Sequence, residues 1–418
     1  MKLLWFSHFV PFPPKGGVYQ RSFNLIRYMS RSYEVFLIAF NLRRESEERL
    51  VSCAGELRKY CENVEFWELP LQWRSGRWWA ELAVSPLFRA PFGCRAFWSE
   101  RLAACWQKTL REHGGALLHV DSPDLALFMA AAKSFRKVLN HHNCESAMAD
   151  RRAQVERNLL KKSYLLNQAR KLADLERQVC HHFDVNTVVS ETDGQLLRAR
   201  NPKAHIHIVE NGTDPSYFEP SSVPEEPASL IFASSMDWYP NISAIRFFVH
   251  EIWPLVKQQR PDAVLYLAGQ SPPAWLVRWV ERDPHIVLVA DPADVRPWVA
   301  RAAVFICPIV DGGGTRLKIL DALAMGKAVV STSIGCEGLR VKHGENILVA
   351  DAPRDLACQV LRVLEDHSLR HRLGVAGRTL VEKEYSWERI AGQLEQAYRC
   401  ATHRGPCERP AARVEVEA

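Results

Sequence analysis

The sequence predicts an α/β protein made of two doubly wound, parallel-sheet domains. Three observations carry that prediction. Short apolar runs alternate with longer segments of helical period. The alternation halts at a polar, proline-rich stretch near residue 208 and then begins again. And 418 residues, 47% apolar and 24% charged, suffice for two soluble domains with separate cores.

The first series opens with "KLLWFS" and a helical segment from Arg21 to Ser30. It continues with "EVFLIAF" and a helix from Arg43 to Tyr60, then with "ALLHV", "RKVLN" and "VNTVVS". A signal peptide is a poorer reading of the N-terminus than a buried strand, because Ser7 and His8 break the apolar run and no small-residue cleavage site follows. No run approaches the roughly 18 apolar residues of a membrane-spanning helix. Residues 1–207 are therefore read as the first domain, and 208–228, rich in Pro, Ser and Glu, as a linker. The second series, "LIFASS", "AVLYLAG", "IVLVA", "VFICP", "AVVST" and "NILVA", occupies 229–385. In 386–400 an amphipathic helix, "SWERIAGQLEQAYR", with Ser386 as its cap, is expected to pack back toward the first domain. The rest, 401–418, has no apolar period and reads as a disordered tail.

The net charge of +6 is small for this length and is spread along the chain, which argues against nucleic-acid binding and suits an enzyme of anionic ligands. Eleven cysteines with no C-x-x-C pair read as small hydrophobes in a reducing compartment, hence a cytoplasmic protein.

The most informative stretch is "DGGGTRLKILDALAMGKAVVST", from Asp311 to Thr332. Three glycines lead from a strand into a helix, where a backbone can approach a ligand and the helix start offers N–H groups and a positive dipole end. Arg316 and Lys318 then lie in the first helical turn, where cations oppose the dipole unless an anion stands before them. The plainer alternative pairs Lys318 with Asp321 at i, i+3. Neither a Walker loop nor G-x-G-x-x-G is present, since Ala328 follows Lys327 and Leu317 stands three residues after Gly314.

This turn, together with "PFPPKGGVYQRSFNLIRYMSRSYEVFLI", "VVSETDGQLL", "VENGTDPSYFEP" and "FASSMDWYPNISAIRFFVHEIWP", resembles the retaining glycosyltransferases of family 4, which implies two Rossmann-like domains facing a cleft in the GT-B arrangement. The resemblance spans nearly the whole chain. It implies a nucleotide diphosphate sugar as donor substrate, bound mainly by the second domain. Arg316 and Lys318 would neutralise the departing diphosphate, with Gly314 and Thr315 close to the sugar or phosphates. No metal or other cofactor is expected, because two cations and helix amides can do the work of a divalent ion. Many members carry two glutamates on this turn; here the positions are Gly313 and Asp321, so the aspartate would hold the ribose diol while Gly313 has no side chain to offer. Ser235 in "SMDWYPN" and Gln270 after "LYLAG" would line the donor cleft, and Gly16, Gly17 and Arg21 at the first strand–helix junction would touch the diphosphate from the other domain.

Strand ends of the first domain supply acid–base candidates. His119 follows "ALL" and could touch sugar or acceptor. His142 and Glu145 in "HHNCES" could position an acceptor hydroxyl or take its proton, or Asn143 or Ser146 could simply cap a helix. Between Trp67 and Trp106, Trp73, Trp78, Trp79 and Trp98 are interleaved with Arg74, Arg77, Arg89, Arg95 and Arg101. That mixture suits an anionic membrane interface, a carbohydrate-stacking surface, or ordinary packing. The expected activity is transfer of a sugar to a hydroxyl of a glycan or lipid-linked acceptor in cell-surface polysaccharide or glycoconjugate synthesis, in the cytoplasm at the inner face of the membrane. Its rivals are a nucleotide-sugar epimerase of the same fold, a catalytically silent subunit that binds a membrane or partner, and a dinucleotide oxidoreductase, the last disfavoured by the missing glycine fingerprint.

Overall fold

The apolar runs of the first half are strands of one sheet, parallel throughout: β1 (Lys2–Ser7), β2 (Glu34–Phe40), β3 (Asn63–Trp67), β4 (Leu117–Val120), β5 (Lys137–His141), β6 (Val185–Val188) and β7 (Ile206–Ile208), in the order β3-β2-β1-β4-β5-β6-β7. Those of the second half form β8 (Glu226–Ala233), β9 (Val264–Gly269), β10 (Ile286–Ala290), β11 (Ala302–Cys307), β12 (Ala328–Ser331) and β13 (Leu348–Val349), ordered β10-β9-β8-β11-β12-β13. The computed structural model describes residues 1–71 and 75–402. The expected tail beyond 402, with Trp73 and Arg74, lies outside the described residues.

Central strands are buried on both faces, as parallel sheets require. In β1 the alternation sends Leu3 and Trp5 toward the helix Gly17–Met29 and the last helix, Trp387–Thr402, while Leu4 and Phe6 face Trp106 and Phe128. The last helix puts Trp387, Ile390, Leu394 and Tyr398 into the core of the first domain, so the chain returns to where it began. Strand β8 starts at Glu226, inside the stretch read as linker, and β7 runs to Ile208 at its other edge. Nine described cysteines are free thiols, but Cys400 is joined in a disulfide, so the small-hydrophobe reading fails there.

Each sheet reverses strand order once, between β1 and β4 and between β8 and β11. At such reversals the loops leaving adjacent strands part and open a crevice at their carboxyl ends. Asp311–Arg316 follows β11 and the 234–238 loop follows β8, so both border the second reversal. His8 follows β1 and Asp121 follows β4, so both border the first.

Candidate active site between the domains

The glycine turn is shaped by close approach. Gly312 and Gly314 have φ of +99° and +72°. A Cβ on Gly314 would stand 2.1 Å from Asn143 Oδ1 and 3.3 Å from the carbonyl oxygen of His142, both in the first domain. A Cβ on Gly313 would stand 3.3 Å from Met148 Cβ. The space in front of the turn is thus filled by the helix Glu145–Val155, and an acidic side chain at 313 would have to displace Met148.

The helix after the turn begins at Leu317, one residue later than the sequence suggests, and Arg316 is its cap. The Arg316 guanidinium folds back onto the carbonyl oxygens of Gly313, Gly314 (2.6 Å) and Asp311 (3.4 Å), while its Nε has no partner. Lys318 Nζ donates to Asn241 Oδ1 at 2.6 Å and lies 4.6 Å from the centre of the Phe232 ring. Burial pulls the Lys318 ammonium down to about 8, and burial also lowers Arg316. Lys318 does not pair with Asp321: that carboxylate accepts from Thr213 Oγ1 at 2.6 Å. Among the described residues, neither cation forms an ion pair with a carboxylate. Two adjacent, half-buried cations whose hydrogen bonds all go to neutral oxygens form a site for an anion.

The other donor candidates fall around this pair to different degrees. Asn241 links Lys318 to the Ser235 carbonyl (2.6 Å), and the Gln270 carbonyl accepts from Met236 N at 2.8 Å, so Ser235 and Gln270 share one edge of the crevice. Thr315 is buried and its Oγ1 accepts from Asn211 Nδ2 at 2.6 Å. Gly16 caps the helix Gly17–Met29, and a Cβ on Gly17 would lie 3.5 Å from Leu317 Cδ1, so this junction meets the second domain at the start of the cation-bearing helix. Asp321 is tied to Thr213 and Gln20, and burial lifts its carboxyl to about 7. Arg21 does not reach the crevice. Its guanidinium is buried and donates to the Glu210 carbonyl (2.7 Å), Asn211 Oδ1 (3.0 Å) and Asn140 Oδ1 (3.1 Å), which makes it a strut between the first domain and the linker.

In the first domain His119 is misplaced by the sequence reading. It is fully buried, stacked on Trp5 with ring centres 3.7 Å apart, and its Nδ1 is 2.8 Å from Tyr398 OH, so it touches neither sugar nor acceptor. The residue that emerges from β4 is Asp121, and His142 Nε2 lies 3.1 Å from its Oδ1. Glu145 opens the helix Glu145–Val155 and accepts from Asn143 Nδ2 at 3.2 Å. Burial, helped by the charge of Asp124, lifts Glu145 to about 8, so it carries a proton at neutral pH. The amides at this helix start are satisfied by Glu176, which accepts from Ser146 N at 3.0 Å, rather than by Asn143 or Ser146 as cap. His8, Asp121 and His142 present ligand atoms within 4.8 Å of one another, and could together hold a divalent ion.

Two residues the sequence gave no reason to single out join the domains. Arg151 makes a two-pronged pair with Glu337 (2.5 and 2.8 Å) and also donates to the Gly312 carbonyl at 3.2 Å. They stand 186 positions apart, so no local spacing announces them. The tryptophan and arginine segment divides in two. Trp67 and Trp106 are core residues, whereas the helix Gly76–Val84 buries none of its side chains and leaves Trp79 54% exposed. Nearby, Leu87 is 84% exposed, and Leu160, at the start of a helix whose Tyr164 meets Ser85, is 83% exposed.

The family model of Glycosyltransferase Family 4 matches residues 15–217, and that of group 1 glycosyl transferases matches 227–366. A protein from the cps region of Klebsiella pneumoniae is 23% identical over 173 residues, a match that spans 40% of this chain and 45% of that relative's length. Among solved structures, sucrose-phosphate synthase of Thermosynechococcus elongatus superposes with a TM-score of 0.69 at 17% identity, over 96% of this chain and 98% of the other. TarM of S. aureus gives 0.70 at 10% identity over 96% and 99%, and Anabaena HepE, solved with UDP-glucose, 0.66 at 14% over 96% and 100%. Two Rossmann-like sheets facing a crevice, a glycine turn bearing two cations, and a matching family model on each domain assign the chain to the group 1, family 4 glycosyltransferases of GT-B fold.

Proposed function

We propose that this glycosyltransferase moves a sugar, with retention of anomeric configuration, from a nucleotide diphosphate sugar to a hydroxyl of a glycan or lipid-linked acceptor in cell-surface polysaccharide or glycoconjugate synthesis. The observation that carries the reading is the pair Arg316 and Lys318, placed at the β8/β11 reversal and, among the described residues, in no ion pair with a carboxylate. A cation about 4 Å from a phosphate at an effective dielectric near 20 contributes about 4 kcal/mol, enough to favour a departing diphosphate. Lys318 and Arg316 would stabilise that charge, the N–H groups of the helix Leu317–Ala324 would add to it, and closure of the domains would exclude water. Protonated Glu145 is suited to donate a hydrogen bond into the same crevice. No divalent ion is needed for the diphosphate. The ligands of HepE (UDP-glucose) and TarM (UDP) and the cps origin of the Klebsiella relative agree with this donor class and setting.

The exposed apolar residues Trp79, Leu87, Leu159 and Leu160, flanked by Arg77, Arg89 and Lys161, support a resting place on an anionic inner leaflet, where a lipid-linked acceptor would be met. No described helix is long and apolar enough to cross a membrane. A thermal-shift panel of nucleoside diphosphates and nucleotide sugars, followed by turnover of the best binder, tests the donor assignment. Stabilisation by one nucleotide sugar and its nucleoside diphosphate is expected; a flat response to the whole panel would overturn it.

A further inference from the structure

We propose that Asp311, with the hydroxyls of Tyr239 and Ser234, holds hydroxyl groups of the transferred sugar, and so supplies the acid that Gly313 cannot. This rests on the donor reading above and adds to it the residues that select the sugar.

The turn after β11 and the loop after β8 meet at the second reversal. Asp311 Oδ2 accepts from Ser243 Oγ at 3.2 Å, on the helix Tyr239–Phe247, and a Cβ on Gly312 would stand 3.0 Å from Pro240 Cγ. Along this junction four buried polar atoms have no partner among the described residues: Asp311 Oδ1, Tyr239 OH, Ser234 Oγ and Arg316 Nε. Asp311 is only 7% exposed. Unpaired buried polar atoms are destabilising and uncommon, so four at one junction outline the ligand that would complete them.

Their chemistry separates two parts of that ligand. Arg316 Nε can only donate, which suits a phosphate oxygen. A carboxylate can only accept, so no phosphate oxygen satisfies Asp311 Oδ1, whereas a hydroxyl does. Burial raises this carboxyl, and Ser243, Arg316 and Arg152 draw it back. Burial pushes the Tyr239 phenol up to about 12, so its O–H is neutral and can both donate and accept, as can Ser234 Oγ. An acceptor between two hydroxyls matches a polyol and would repel a second anion.

Position chooses the transferred sugar over the ribose. Arg152, on the helix Glu145–Val155 of the first domain, lies 4.3 Å from the centre of the Tyr239 ring, and the neighbouring Arg151 donates to the Gly312 carbonyl at 3.2 Å. This corner is therefore covered by the domain expected to bring the acceptor, and the sugar to be moved must lie between acceptor and diphosphate. An acid at 313 would meet Met148, whereas Asp311 stands two residues earlier and turns its carboxyl toward the helix Tyr239–Phe247. The acid and the close approach of the domains are compatible at that position.

The test titrates the full-length protein calorimetrically at pH 7 with the nucleotide sugar that gives the largest thermal shift and, separately, with its nucleoside diphosphate. Asp311→Asn keeps the size of the side chain and removes its charge. Affinity for the nucleotide sugar should fall about tenfold or more, while that for the nucleoside diphosphate stays within about twofold or tightens, since an anion near the phosphates has gone. Tyr239→Phe removes only the O–H; it should weaken the nucleotide sugar about threefold to tenfold and leave the nucleoside diphosphate as it was. This second variant decides the matter alone where Asp311→Asn does not fold. A packing role would shift both ligands alike. Wild-type affinity for the nucleotide sugar in the folded variants, or equal weakening of both ligands, as contact with the ribose would give, overturns the assignment and leaves the donor site standing. A wild-type protein that binds neither ligand overturns both.

Discussion

Replacing Lys318 by methionine separates the stability of the fold from the affinity of the site. In the empty site the ammonium has an amide oxygen and a ring face for company, and burial lowers it from 10.5 to about 8. At about 1.4 kcal/mol per pH unit, the charged form is roughly 3 kcal/mol less stable in the folded protein than in water. The folded value lies below the unfolded one, so between pH 8 and 10.5 the folded protein binds fewer protons and Lys318 makes stability rise with pH; below about pH 8 the whole penalty is present. Methionine keeps the length, removes the charge and gives up the bond to Asn241, worth about 1 kcal/mol. The ligand-free Lys318→Met protein should therefore be about 2 kcal/mol more stable than wild type at pH 7, with the difference fading toward pH 10.5. Binding runs the other way. A diphosphate restores the ammonium, so wild-type affinity should weaken by up to about tenfold per pH unit above pH 8, and the variant should lose both that slope and at least about 10²-fold in affinity. Chemical denaturation at pH 7 and 9.5, with calorimetric titration of a nucleoside diphosphate at the same pH values, reads both. A variant less stable than wild type at pH 7, or one that binds diphosphate as wild type does, would refute the anion-site argument.

Arg21→Met takes a donor from three buried acceptors, on Glu210, Asn211 and Asn140, of which Asn140 Oδ1 keeps Thr187, and should cost about 2–4 kcal/mol in chemical denaturation; Arg21→Lys should recover little, because one ammonium cannot serve the same fork. Gly314→Ala places a methyl group on Asn143 at a positive φ, and a cost of about 1–3 kcal/mol with a larger radius in small-angle scattering is expected as the domains part. Glu145 has its folded value raised to about 8, so the folded protein holds the extra proton and stability falls as pH rises from about 4.5 through 8; in Glu145→Gln the melting temperature should lose that part of its pH dependence. Leu159→Asp with Leu160→Asp should abolish flotation with anionic vesicles and leave the melting temperature within about 2 °C, since both side chains are about four-fifths exposed.

The two parallel sheets could be anticipated because the central apolar runs are buried on both faces, and because the break near residue 208 separates two series that never pair with one another. The cations were legible for a related reason: a charge that opposes a helix dipole is conspicuous in sequence. The acid–base residues were harder, since being at a strand end does not say which way a side chain points. His119 shares the parity of Trp5 in the neighbouring strand and goes with it under the last helix, whereas Asp121, two residues on, has left the strand and is free to face His142. The signal was available, because Asp121 stands in the same "HVDSP" as His119, but it needed the strand's last residue, Val120, to be known. Arg21 failed otherwise. The βα junction did bring Gly17 against the second domain, yet one turn further along the helix the side chain points down into the linker.

The glycine at 313 follows from how closely the domains approach. Met148 occupies the space where a side chain on residue 313 would project, and Asn143 occupies that of residue 314, so the helix Glu145–Val155 rests directly on the turn's backbone. A carboxylate on the turn would hold the domains apart. One is nevertheless present at the edge of the same crevice: Glu337, two-pronged to Arg151, which in turn donates to the Gly312 carbonyl. Both partners are partly exposed, about 34% and 28%, so the pair is screened and contributes of order 1 kcal/mol or less to keeping the domains closed. A contact that weak suits a crevice that must open to admit a nucleotide sugar and shut again. Glycine on the turn allows the tight closure, and the acid and base that secure it stand on opposite sides of the crevice, Arg151 on the helix Glu145–Val155 and Glu337 in a turn of the second domain.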